Sequence, residues 1–404
     1  MSAAAVAGMI AWPRRSQEWM WAAGAAVVLL ALRAISPAQA WGAVLRGADV
    51  YAFLAGIMIL AELARHEGLF DWLAAHALHA ARGSQARLFS LLYLCGVGVT
   101  ALLSNDTTAV LLTPAVAATL GRTTANPLPY LFACAFVANA ASFVLPFSNP
   151  ANLVVFGSHL PALHLWLGSF ALASAAALVV TYAGLRIGFR RELQPRYDDG
   201  APPDALPATG IVSAIAVGAA ALALIVAAAV RFDVGITALV AALVCVAVVT
   251  LRERGAAAYV ARHLAWQIIP LVAGLFVVVA ALDRAGVLDL LRAFLVHAQS
   301  LGYARGNLLA ALAITAASNL FNNLPVALAS GFALQSTHVS PVLTHATLVA
   351  VDLGPNVSVT GSLATMLWLI ALRREGFTVG PLAFFRVGAA ITIPALLASV
   401  LLVH

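Results

Sequence analysis

The sequence predicts an all-α polytopic membrane protein of two inverted-topology repeats, each with a re-entrant helical hairpin and a broken transmembrane helix. Three observations predict this. Hydrophobic residues make up 63% of the 404 residues, charged residues only 9%, and mean hydropathy is +0.97. Nine apolar runs approach or exceed the roughly 20 residues that cross a bilayer core of about 30 Å. Four polar clusters interrupt apolar sequence at places that match between the two halves. A soluble domain carries about 25% charged residues, so a water-soluble fold is excluded. The same composition excludes disorder and disulfide scaffolds.

The runs lie at 19–36, 47–65, 128–158, 163–189, 209–230, 235–251, 265–283, 341–372 and 379–403. The count of spans is about nine to ten. Residues 1–18 read as a cytoplasmic N-terminal segment. Pro13, Arg14 and Arg15 break it, and charges that follow the apolar part make a poor signal peptide. The first repeat covers 19–189 and the second 209–404. Between them 190–208, with Asp198-Asp199-Gly200 and clustered prolines, reads as a cytoplasmic linker.

Two further apolar regions, 86–120 and 305–338, do not fit as simple spans. Ser104-Asn105-Asp106-Thr107-Thr108 interrupts the first, and Asn322-Asn323-Leu324-Pro325 the second. Each half is expected to be about 15 residues, too short to cross alone. A chain that turns at mid-depth and leaves on the side it entered is the reading adopted. Irregular backbone at that depth needs protein or water around it.

All 22 basic residues are Arg. With the N-terminus cytoplasmic and both interrupted regions as hairpins, only Arg33, Arg46, Arg231, Arg284, Arg292 and Arg305 face outward. The other sixteen face the cytoplasm. That is the expected bias of short loops, and it places the C-terminus on the periplasmic side. The net charge of +6 reflects these short clusters between spans, so nucleic acid is not an expected partner.

The halves repeat each other. Residues 56–73 align with 274–291, Asn105-Asp106 with Asn322-Asn323 at an offset of 217, and Asn139, Asn149 and Asn152 with Asp352, Ser362 and Thr365 at 213. The hairpins open to opposite sides, so the repeats are inverted. Such repeats are a common plan of secondary transporters, with the solute site at the repeat interface.

The remaining polar clusters, 139–152 and 352–365, break long helices. Pro146, Pro150, Gly354 and Pro355 cannot continue a regular helix. Broken helices free backbone N–H and C=O groups toward a bound solute. Ser148, Asn149, Asn152, Asn356, Ser362 and Thr365 supply amides and hydroxyls beside them. The alternative is that these residues are packing groups bonded across helices. Asp106 and Asp352 fall at the breaks, where an ionised Asp costs roughly 2.5–3.5 kcal/mol or more. Acids so placed usually sit on ion or proton paths, though a structural carboxyl is the other reading. Glu62 and Asp283 read as structural, and His76 and His79 as interfacial.

No Walker A string, GxSxG, HExxH or credible GxGxxG is present. No catalytic residues, metal site or cofactor is therefore expected. Cys95, Cys134 and Cys245 lie far apart in apolar sequence and read as core residues. An ion gradient, a membrane potential or a partner ATPase must supply energy.

The strings "LSNDTTAVLLTPAV" (103–116), "NAASFVLPFSNPANLV" (139–154), "NNLPVAL" (322–328) and "DLGPNVSVTGSLATMLWL" (352–369) resemble the arsenical pump membrane protein family, the ArsB-type permeases of the ion transporter superfamily. The resemblance covers roughly 45–403. It implies efflux of arsenite and antimonite as neutral trihydroxides in exchange for protons. It also implies an inner-membrane location and allows cooperation with a soluble arsenite-stimulated ATPase subunit. Carried over, Asn105, Asp106 and Thr107 form one wall of the site and Asn322 and Asn323 the other. Ser148, Asn149, Asn152, Gly361, Ser362 and Thr365 come from the broken helices. Asn139 and Asp352 lie behind them, with Ser104 and Asn356 in support; from their places at the breaks, proton coupling is expected of Asp106 first and Asp352 second. A sodium-coupled carboxylate or other anion carrier, a Na⁺/H⁺ antiporter and a passive channel remain as alternatives.

Overall fold

The computed structural model describes residues 18–194, 196–197 and 204–404. Among these the chain is helical, apart from one isolated bridge between Ser84 and Arg196. The expected N-terminal segment lies almost wholly outside the described residues, as does the middle of the expected linker. On the near side of the linker, Tyr197 donates to Leu78 O at 2.8 Å and Arg196 to Arg82 O at 3.2 Å.

Among the described residues five helices are long and apolar enough to cross a membrane: Gln85–Leu102, Leu163–Gly188, Ala208–Val230, the joined stretch Ala256–Arg284, and Pro381–Val400. A sixth span results if Pro37–Leu45 and Ala48–His66, bent by 48°, count as one. The other expected runs are shorter apolar helices, such as Leu128–Ala140 and Val234–Thr250, or helices cut at the polar breaks. Exposed Leu222, Val226 and Val230 on one long helix and Val240, Leu243 and Val244 on the next show an apolar surface fit for lipid. Asn, Ser and Thr are instead buried inside.

The chain turns at both expected polar clusters, but the first arms are long enough to cross a bilayer, so the expectation that each arm is too short to cross alone does not hold. The first arms, Gln85–Leu102 and Tyr303–Phe321, have 18 and 19 residues. Each helix runs unbroken to the polar cluster because nothing before it stops it. Each second arm starts at a capped turn, Asn105–Thr107 continuing to Leu120, and Asn323–Gln335.

The two halves interlock. The return arm of the first hairpin packs on Leu363–Arg374 of the second half. The return arm of the second packs on Pro150–Phe156 of the first. Away from these, Ala48–His66 lies against Val234–Thr250. Small residues allow that approach. A Cβ on Gly56 would sit 2.4 Å from the Ala238 carbonyl carbon, and one on Gly235 would sit 2.2 Å from Asp49 O. We expect Gly56→Leu to force these helices apart, at roughly 1–3 kcal/mol or more. The melting temperature of the purified protein should fall; an unchanged value contradicts this packing.

Candidate functional site

Each polar break starts a helix, and each start is capped by a side chain. Ser104 Oγ accepts from Thr107 N at 3.2 Å, and Asn149 Oδ1 from Ala151 N at 3.0 Å. Asn322 Oδ1 accepts from Leu324 N at 3.3 Å, and Ser362 Oγ from Thr365 N at 3.0 Å. Asn and Ser are favoured caps because their oxygens replace the missing intrahelical acceptor. Four helix N-termini, with their partial positive charge, thus belong to one polar system.

Backbone bonds tie each hairpin tip to the break of its own half. Asn105 N donates to Ser148 O at 3.2 Å, and Asn323 N to Gly361 O at 2.8 Å. These bonds make Asn105 equivalent to Asn323 and Ser104 to Asn322. The offset at the tips is therefore 218, one more than side-chain identity gives. The cap position, which identity does not mark, sets the register.

Side-chain bonds then cross between the halves. Asn139 Nδ2 donates to Asn356 Oδ1 at 2.9 Å and lies 3.4 Å from Ser362 Oγ and 3.5 Å from Thr365 Oγ1. Its repeat partner Asp352 accepts from Asn149 Nδ2 at 2.8 Å. Asn356 also donates to Phe136 O at 2.9 Å. Each half thus bonds the capping residue of the other half's broken helix. All these side chains are buried.

The remaining residues named from sequence take more local places. Ser148 Oγ donates to Ala101 O at 3.0 Å, and Thr107 Oγ1 lies 3.0 Å from Ser104 Oγ. Asn152 Nδ2 is spent bracing its own loop, donating to Ser142 O at 2.9 Å. Gly361 is a close-approach position, where a Cβ would meet Pro355 O at 2.3 Å. No hydrogen bond joins the two hairpin tips directly among the described residues. They communicate through the broken helices.

The two acids differ. Asp352 is fully buried, and its second oxygen has no partner among the described residues. The Asp106 carboxylate, half-buried beside its tip, makes no hydrogen bond or ion pair among the described residues. Asn139 Oδ1 and Asn152 Oδ1 are also buried without partners among the described residues. Such oxygens cost about 1–3 kcal/mol each when unmet. They can accept from water or another hydroxyl donor, or face a cation.

Sequence reading missed Asn319. Its Nδ2 donates to Thr315 O at 2.8 Å and Gly354 O at 2.9 Å, while Oδ1 accepts from Ser358 Oγ at 2.7 Å. It ties the second hairpin's first arm to the break at 354–358. An amide three residues before Asn322, inside an apolar helix, was the available signal. The chain also turns as a π-helix at Thr108–Leu112. Such bulges are frequent at functional sites.

A cavity of about 1190 Å³ lies elsewhere, lined by Arg46, Arg231, Arg292 and Asp283 together with Val154 and Gln335. None of the site residues named from sequence lines it. It reaches the far ends of Pro150–Phe156 and Asn323–Gln335. The first of these helices is seven residues, about 10 Å, long.

Residues 8–372 match the family model described as citrate transporter, CitMHS. The chain belongs to that citrate transporter family, in company with the arsenical pump membrane proteins. It is 30% identical over 361 residues to the arsenical pump membrane protein of Escherichia coli (strain K12), covering 85% of this chain and 83% of the relative. The relative of the same name from Shigella flexneri gives the same figures. The fold of this family member is also similar to that of the Alcanivorax borkumensis YdaH transporter, whose crystal structure is described as having an unusual topology. The TM-score is 0.55 at 15% identity, covering 95% of this chain and 96% of that one. The family resemblance read from the four sequence strings therefore holds, and the chain is a membrane transporter of the ion transporter superfamily.

Asn322 adopts φ 72 and ψ 149, a region that favours glycine. Asn322→Gly should therefore leave the melting temperature unchanged or raise it, whereas Asn322→Val should lower it. Equal effects of the two would contradict a strained tip. Asn139→Ala strands Asn356 Oδ1 in the interior and should lower stability by roughly 1–3 kcal/mol, read in a denaturant titration. No change would show the crossing bond to be dispensable.

Proposed function

We propose that the protein exports arsenite and antimonite, as neutral trihydroxides, in exchange for protons by alternating access. The observation that carries this reading is the crossed pair of contacts, Asn139–Asn356 and Asn149–Asp352, between the breaks of the two halves. A polar site held together across both halves can move as one unit against the remaining spans and open to one side or the other, without either half unfolding. The similarity to arsenical pump membrane proteins supports the choice of solute. So does the chemistry of the interior. A neutral trihydroxide brings O–H donors, which suit an oxygen without a partner among the described residues, such as those of the half-buried Asp106 carboxylate beside the tip. It also needs no basic side chain, and none is among the site residues.

In this mechanism the hairpins and broken helices form the moving unit, and the remaining spans, including Ala208–Val230, the scaffold. Asn105, Thr107, Asn323 and the caps Ser104, Asn149, Asn322 and Ser362 hold the solute. Asp106 takes up an external proton when the site faces out and releases it inside. Its unpaired, half-buried carboxylate suits reversible protonation better than the sealed Asp352. The arginine bias supports an inner-membrane chain with the N-terminus cytoplasmic and the C-terminus periplasmic. A soluble ATPase subunit is compatible with this scheme and not required by it.

One observation favours a second reading. Four capped helix N-termini attract anions, as a sodium-coupled carboxylate carrier requires. Proton-driven arsenite uptake in everted vesicles distinguishes the two. Asp106→Asn should slow it by roughly tenfold or more, equivalent to about 1.4 kcal/mol in barrier height. Full activity with Asp106→Asn and Asp352→Asn combined contradicts proton coupling through these acids. Sodium-dependent citrate uptake with no arsenite uptake would select the second reading.

A further inference from the structure

Away from the repeat interface, His66, Glu67 and Glu253 meet at one end of Ala48–His66. One ligand atom from each lies within 4.8 Å of the other two. His66 Nε2 is 2.9 Å from Glu253 Oε1. Glu67 is only 5% exposed, yet its Oε1 has no hydrogen-bond partner among the described residues. Burial raises the Glu67 pKa, the hydroxyl of Thr209 lowers it, and the neighbouring Glu253 raises it again. Two carboxylates this close, one of them buried, are satisfied by a shared proton or by a cation between them. A divalent ion coordinated by neutral His66 supplies two positive charges and neutralises the cluster.

We propose that His66, Glu67 and Glu253 bind a divalent first-row transition-metal ion of the Zn²⁺ or Co²⁺ class. The donor set decides the class. One imidazole nitrogen with two carboxylate oxygens suits borderline ions, whereas Mg²⁺ and Ca²⁺ prefer all-oxygen sites. The ligands are held ready. The His66 ring stacks on Tyr259 with centroids 4.0 Å apart, and Tyr259 stacks on His263 at the same distance. Glu67 is fixed by burial beside Gly210, where a Cβ would lie 3.0 Å from Glu67 O. Glu253 is about two-fifths exposed and offers the entry route. A bound ion would pin the end of Ala48–His66 to the segment 251–255. Because Glu67 also faces Thr209, the pin would extend to the start of Ala208–Val230. All three belong to the part proposed as scaffold, so the site is independent of the solute pathway.

Co²⁺ is the probe. The full-length, tag-free protein, purified in detergent and stripped with chelator, is titrated with Co²⁺ and followed by its visible absorption. Bound metal is counted after dialysis, and melting temperature is read in parallel. Wild type should bind one ion per chain, develop the absorption of a nitrogen- and oxygen-ligated Co²⁺, and melt at a higher temperature with metal. Glu67→Gln and His66→Ala should each abolish the absorption and the metal-dependent rise, while Asp106→Asn keeps both. Glu67→Gln should fold, since it is isosteric and removes a buried charge. No bound Co²⁺ in wild type overturns the proposal, as does undiminished binding in both Glu67→Gln and His66→Ala. Displacement of Co²⁺ by equimolar Mg²⁺ overturns the assigned class of ion.

Discussion

The arrangement depends on the exchange of polar contacts across the repeat interface. Asn139 of the first half reaches the cap of the second half's broken helix, and Asp352 of the second is reached by the cap of the first. In an apolar interior such groups have few other partners, and an unmet one is costly. The contacts therefore fix how the halves face each other. They also hold four helix starts in one polar system inside a protein that is otherwise Ala, Leu, Val and Phe. A hydrophobic core alone does not provide that constraint, because lipid competes equally well for apolar side chains.

The hairpins complete the scheme by interlocking. Each return arm packs on the broken helix of the opposite half, while its tip is bonded by backbone to the break of its own half. A shift of one half against the other must therefore move tips, breaks and caps together. The outer helices are built differently. Ala48–His66 and Val234–Thr250 approach through glycines, with no polar bond required. The contrast between the polar repeat interface and the close-packed apolar outer helices follows from what each interface is made of.

Much of this was legible in the sequence for one reason. Polar residues and prolines inside apolar runs are costly unless placed with purpose, so the hairpins 86–120 and 305–338 and the breaks at 139–152 and 352–365 announced themselves. Helix ends were less legible. The first hairpin arms run to 18 and 19 residues because an apolar helix carries no stop signal until its polar cluster. The one-residue error in tip register arose because Asn105 and Asn322 share a side chain but not a role. The crossing bonds, the part played by Asn319 and the meeting of His66 with Glu253 were not legible at all. They join residues far apart in the chain, and composition and periodicity report only on neighbours. Asn152 was named for its amide, yet that amide braces its own loop.

The central claim is that the halves are coupled through these crossing bonds. A double-mutant cycle on Asn149→Ala and Asp352→Asn, measured as unfolding free energy in detergent, tests it most directly. A coupling energy of roughly 0.5–3 kcal/mol is predicted for side chains in contact. Strict additivity of the two substitutions would mean that the halves meet without this bond, and would contradict the account.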